Sequence, residues 1–168
     1  MLQFSNIYIH AVDKADETAM DLKFQVQAKI QKPVADVFDA VYNPDKLSKY
    51  FTNGGASAPL KEGTTVTWGF SDAPGGPISF PVYVKKVVPR RLIVFEWAAS
   101  DGDYNTRVEL KFEALGPSET MVSISESGWR ETPEGLKSSY SNCSGWAQMA
   151  SCLKAYIEYG INLRKGFN

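Results

Sequence analysis

Apolar and polar side chains alternate through most of the middle of the chain. Phe24, Val26, Ala28 and Ile30 alternate with Gln25, Gln27 and Lys29, a period of two that predicts a strand with one buried face. The period then changes. Val34, Val37, Phe38, Val41 and Tyr42 fall at i, i+3, i+4, i+7 and i+8, an amphipathic helical stripe with Pro33 suited to its first turn. Asn43-Pro44 breaks the stripe, and Asn43 can cap a second short helix carrying Leu47, Tyr50 and Phe51. Residues 53–63 read as loop. Strands are predicted over 65–70, 78–88, 92–97, 106–113 and 120–127, separated by glycine- and proline-rich turns at 71–77, 89–91, 100–103 and Gly116-Pro117. About six strands result, five of them in an uninterrupted meander, which favours an antiparallel sheet.

The last forty residues have a different pattern. Pro133 opens a helical pattern that runs to about Tyr159 and stops at Gly160. Cys143, Trp146, Ala147, Ala150, Leu153 and Ile157 fall on one face, with Met149 and Tyr156 on its flank. A helix of that length is close to 40 Å long, enough to cross a domain. Gly145 costs about 1 kcal/mol against alanine inside a helix. Close approach to the sheet, or a later helix start, would each explain it. The expected fold is therefore α+β: a curved antiparallel sheet wrapped around a long C-terminal helix, with two short helices after the first strand.

Length and charge narrow the function. With 168 residues there is room for one domain, taken as 21–168, preceded by an extension (1–20) of uncertain structure. Eighteen basic against nineteen acidic residues offer no basic field for a phosphate backbone, so nucleic acid is not an expected partner. No apolar run reaches the ~18 residues of a membrane span, and no basic segment leads into an apolar stretch at the N-terminus. A cytoplasmic protein is expected. One histidine (His10) and two cysteines (Cys143, Cys152) are too few for a His/Cys zinc site beyond the barest, so neither metal nor cofactor is expected. On one helix the cysteines would point to opposite faces about 13 Å apart, which excludes a disulfide between them.

Three segments carry a resemblance to a known family: residues 30–41 with Leu47 and Phe51, Pro89-Arg90-Arg91-Leu92 through Trp97, and Gly145-Trp146 through Glu158. Together, over about 22–162, the chain resembles the SRPBCC (START/Bet v-like, helix-grip) superfamily. Within it, the likeness is to the group similar to the C-terminal domain of the activator of heat-shock protein 90 ATPase. The resemblance implies a cavity between the concave sheet face and the long helix. Members bind lipids, sterols, polyketides and other apolar molecules there, some acting as enzymes, while the chaperone activator works through a surface. It carries over no catalytic residue.

The candidate ligand-binding residues are Trp68, Phe70, Phe80, Phe95, Trp97, Glu126, Trp129, Trp146 and Met149. Aromatic side chains with a few polar anchors are the usual lining of a small-molecule pocket, although rings also simply fill cores. Glu126 continues the alternation of Val122 and Ile124. Burial there would make it a ligand anchor or a general base; a strand that ends or bulges early would leave it in solvent at the rim. Glu96 shares a face with Leu92 and Val94 in the same ambiguous way. Trp129-Arg130 belongs to the loop entering the long helix, at a cavity mouth or on an exposed partner surface. The leading expectation is a module that holds a small apolar or amphipathic molecule. The alternatives are an interaction protein of the chaperone-activator type and, third, a cavity enzyme using Glu126. The oligomeric state is left open, a homodimer among the options.

Overall fold

The computed structural model describes residues 21–165; the N-terminal extension, including His10, lies outside the described residues. Ten elements follow in order: β1 (Phe24–Ile30), α1 (Val34–Tyr42), α2 (Pro44–Leu47), β2 (Gly55–Ala56), β3 (Thr65–Phe70), β4 (Ile78–Val88), β5 (Leu92–Ala98), β6 (Asn105–Gly116), β7 (Glu119–Ser127) and α3 (Pro133–Tyr159). The strands form one sheet in the order β1-β7-β6-β5-β4-β3-β2, every pair antiparallel. The fold is the expected α+β helix-grip arrangement with seven strands instead of six. The added strand is the two-residue β2, too short to leave a periodic signal. Its pairing depends on glycine: a Cβ on Gly54 would lie 2.7 Å from the carbonyl carbon of Gly69, so the two backbones touch where any side chain would separate them.

The inner face of the sheet is set by alternation. In β6, Thr106, Val108, Leu110 and Phe112 are buried; in β7, Thr120, Val122, Ile124 and Glu126 are. The outer face carries a ladder of ion pairs in which Glu96 meets Lys85 (3.1 Å) and Arg107 (3.9 Å), and Glu109 meets Arg107 (3.3 Å) and Lys111 (3.7 Å). All are at least partly exposed and each contributes at most about 1 kcal/mol. Glu96 is thereby a surface residue.

The short helices close one end. Asn43 caps α2 by accepting from the Asp45 amide at 3.0 Å. That helix ends at Leu47, and Tyr50 and Phe51 follow in the turns after it, both buried. The Phe38 ring meets the edge of Phe112 at 5.3 Å, and Tyr50 stacks on Tyr156 at 5.2 Å.

The long helix starts and stops where the sequence indicates. The Thr132 hydroxyl accepts from the Gly135 amide (3.0 Å), Pro133 occupies the first turn, and Gly160 ends the helix in the left-handed region at φ 70°. Its buried face is turned from the expected one. Ala147 is exposed, whereas Ser138, Ser139, Met149 and Cys152 join Trp146, Ala150 and Leu153 inside. The N-terminal half faces the sheet through serines and Asn142, which hydrophobic patterning does not detect. Neither explanation of Gly145 holds, since the helix already spans it and a Cβ there would meet nothing within 4 Å. Both cysteines are free. Among the described residues no helix is long and apolar enough to cross a membrane.

Candidate functional site

The inner-face alternation of β7 ends on a carboxylate. Glu126 is 0% exposed and accepts five hydrogen bonds. Its Oε1 takes the Trp97 indole N–H (2.9 Å), the Thr106 hydroxyl (2.5 Å) and the Asn142 amide (3.1 Å). Its Oε2 takes the Trp146 indole N–H (2.9 Å) and the same Asn142 amide (3.1 Å). An indole N–H can only donate, so one compulsory donor serves each oxygen. Hydrogen bonds to a charged group contribute about 1.5–3 kcal/mol each, and without them a buried carboxylate costs several kcal/mol. The rim position is thus excluded. Glu126 lies at the centre of a network that ties β5, β6, β7 and α3 together.

The two indoles held by Glu126 begin a continuous aromatic cluster. Trp97 and Trp146 lie 5.3 Å apart, tilted by 31°. Trp97 also meets Phe80 (5.5 Å), Phe95 (5.6 Å) and Trp68 (6.1 Å). Phe51 joins Trp146 (5.7 Å) to Phe70 (5.2 Å), and Phe70 stacks on Phe80 (5.6 Å, 20°). Pairs at these separations contribute about 0.5–1.5 kcal/mol beyond burial.

Between β3–β5 and the middle of α3 the cluster opens into a cleft of about 210 Å³. Phe51, Phe70, Phe80, Trp97 and Trp146 supply its apolar wall; Ser141, Asn142, Gln148 and Arg164 supply polar groups, and Gly145 leaves its floor open. A second depression of about 410 Å³, which includes Ile78 and Ala98, shares Phe80, Trp97 and Asn142 with it. Asn142 is therefore the one polar side chain that touches both depressions and the Glu126 carboxylate.

A residue beyond the helix completes the rim. Arg164 donates from Nε and Nη2 to the two carboxylate oxygens of Asp72, at 2.8 and 2.7 Å. Its guanidinium lies 5.0 Å from the Phe70 ring centre and 5.9 Å from that of Phe51. Partial burial alone would push the Asp72 carboxyl up, but the hydrogen bonds and charge of Arg164 outweigh it and hold Asp72 below the usual carboxylate range. The C-terminal segment is thus fastened to the β3–β4 loop across one side of the opening.

The nine expected residues separate into layers. Phe70, Phe80, Trp97 and Trp146 line the cleft. Trp68 and Phe95 stand behind Trp97 in the ring cluster. Glu126 is not part of the cleft wall; it lies beneath, holding Trp97, Asn142 and Trp146. Met149 is buried in the core, and Trp129, expected at a cavity mouth or on an exposed partner surface, is 5% exposed with an indole N–H that lacks a partner among the described residues. Its neighbour Arg130 is exposed and lies 4.4 Å from the Tyr104 ring centre. Asn142, Gln148 and Arg164 were not among the nine. The first two are polar positions on a helix read by its apolar stripe, and Arg164 follows Gly160, where no periodicity remains. Among the described residues no three His, Cys, Asp or Glu side chains converge to hold a metal ion.

Comparison with known proteins places this geometry in a family. Residues 31–158 match the model for activator of Hsp90 ATPase homolog 1-like proteins. The chain belongs to this family. Solved structures share its fold. Protein SSP2350 from Staphylococcus saprophyticus is 24% identical, with 85% of this chain and 96% of that one aligned at a TM-score of 0.70. The Aha1 dimer from Colwellia psychrerythraea is 21% identical over 83% of this chain and 98% of that one, at 0.68. DynU16, a protein in the dynemicin biosynthetic locus, is 23% identical over 82% of this chain, at 0.69. This chain spans about half of DynU16, 48% of its length. At such identities the likeness establishes the fold alone. No curated protein sequence matches the chain.

Proposed function

We propose that this protein is a binding module holding a small apolar or amphipathic molecule in the cleft between β3–β5 and α3. One observation carries the reading: five aromatic side chains and the amide of Asn142 converge on an opening whose two tryptophans are fixed from behind by Glu126. Apolar walls with a few oriented polar groups are what small-molecule sites require. In this reading Phe70, Phe80, Trp97 and Trp146 contact the ligand, Asn142 anchors it, and Trp68, Phe95 and Glu126 position the rings. Glu126 has no role as a general base here, because all its near neighbours are donors already engaged with it.

Titration with fatty acids, sterols and flavonoid-like aromatics, followed by intrinsic fluorescence, tests the proposal. Saturable quenching at one-to-one stoichiometry is expected, and even micromolar affinity corresponds to about 8 kcal/mol. Absence of saturable change with every probe would overturn it. Membership of the activator family favours a second reading, contact with a chaperone through the surface. The exposed Tyr140, on the outward side of α3 at 66% exposure, is a contact point for such a partner. Co-purification of a chaperone that is lost on Tyr140→Ala would support that reading.

A further inference from the structure

The charge around the cleft does not balance. Every donor to Glu126 is neutral: two indoles, one hydroxyl and one amide. Among the described residues no Lys or Arg forms an ion pair with it. Arg164 is the one charged residue of the cleft wall, and Asp72 engages it through two nitrogens. Among the described residues the site therefore keeps one net negative charge, directly behind two rings of the aromatic wall.

Cations are attracted to aromatic faces within about 6 Å of the ring centre. The wall already shows this use, since the Arg164 guanidinium sits 5.0 Å from Phe70 and 5.9 Å from Phe51. Among the described residues no cation occupies the rings of Trp97 and Trp146. Each donates its N–H to the carboxylate, and hydrogen bonding of that kind polarises the donor towards greater electron density on the ring. A cleft of about 210 Å³ equals the liquid volume of about seven waters, which suits a compact head group.

We propose that the cleft selects organic cations, seating an alkylated ammonium group against Trp97, Trp146 and Phe80 above the Glu126 carboxylate. The proposal rests on the ligand-binding reading of the cleft and adds the charge of the ligand. An anionic ligand is disfavoured, because the one cation that the described residues place in the cleft wall is already paired with Asp72.

The test compares three probes of similar size by calorimetry: phenyltrimethylammonium, its neutral isostere tert-butylbenzene, and benzenesulfonate. The cation is expected to bind at least tenfold more tightly than the neutral probe, and the anion most weakly. Glu126→Gln should bring the cation to within about twofold of the neutral probe. Should that variant fail to fold, Arg164→Ala leaves the Glu126 network intact and removes the built-in cation; it should tighten phenyltrimethylammonium at least threefold. Equal affinity for cation and neutral probe overturns the charge selection while leaving the ligand site standing. Tightest binding of the anion, or an Arg164→Ala protein with unchanged cation affinity, also overturns it. No binding by any of the three overturns both the selection and the site.

Discussion

Replacing Trp146 separates what its ring contributes from what its N–H contributes. The side chain is 2% exposed, contacts Phe51, Phe95 and Trp97, and donates to Glu126 at 2.9 Å. A buried tryptophan removes about 150–250 Å² from water, which at about 25 cal/mol per Å² is about 4–6 kcal/mol. Trp146→Ala should therefore cost about 3–5 kcal/mol, a large share of the 5–15 kcal/mol typical of a whole domain. Trp146→Phe keeps most of the ring and removes the donor. Glu126 Oε2 then retains only the Asn142 amide, and losing one bond to a charged group costs about 1.5–3 kcal/mol. In urea, with a slope of about 2 kcal/mol per molar, that is a midpoint shift of about 1 M. The cycle with Glu126→Gln completes the test. If the two side chains interact directly, the double variant should be less destabilised than the sum of the singles by about 1 kcal/mol or more. A Trp146→Phe protein within 0.5 kcal/mol of the parent, or a cycle that sums to zero, would refute the network.

Further outcomes follow from other parts of the molecule. Gly135→Ala should destabilise by at least about 1–3 kcal/mol, because a Cβ there would collide with the Arg130 carbonyl oxygen; a neutral effect in thermal melts would mean that the turn before α3 differs. Burial pushes the Cys152 thiol up despite the opposing charge of Arg164, so a thiol reagent should modify the partly exposed Cys143 first and Cys152 only on unfolding; simultaneous reaction would contradict this. Burial tends to raise the Glu158 carboxyl too, but the hydrogen bond and charge of Lys154 and the Gln31 amide hold it low, as Arg164 does for Asp72. Both native carboxyls lie below their unfolded values, so their stabilisation is complete above the ordinary carboxylate range of about 4 and is lost as pH falls through the depressed native values. Lys154→Met should make the melting temperature less dependent on pH across that acid window, and an unchanged profile would remove Glu158 from the account.

Much of this fold is legible in the sequence because its strands each bury one face. The alternation of Thr106, Val108, Leu110 and Phe112 predicts β6, and Pro133 and Gly160 mark the limits of α3. The same alternation offers Glu126 as a buried group, and the neighbouring possibility of solvent exposure could not be removed without its partners. Those partners come from three other elements: Trp97 on β5, Thr106 on β6, and Asn142 with Trp146 on α3. What the pattern misses shares a physical reason. Ser138, Ser139 and Asn142 face the sheet as polar residues satisfied by hydrogen bonding, so a hydrophobic stripe drawn through Cys143 and Ala147 is rotated away from the true inner face. The burial of Trp129 is not legible because a loop after glycine gives no periodicity, and Arg164 is silent because its role depends on Asp72, ninety-two positions earlier.

The central claim is that ligands occupy the cleft whose wall includes Trp97 and Trp146, and the indole N–H resonances of the protein report this directly. In a ¹⁵N-labelled sample each of the four tryptophans gives one such signal. Single substitutions assign them: Trp97→Phe, Trp146→Phe, Trp68→Phe and Trp129→Phe. Titration with a bound aromatic probe should shift the Trp97 and Trp146 signals saturably, along one binding curve, while Trp129, buried away from the cleft, stays in place. Shifts confined to Trp129, or equal small shifts of all four, would contradict the account.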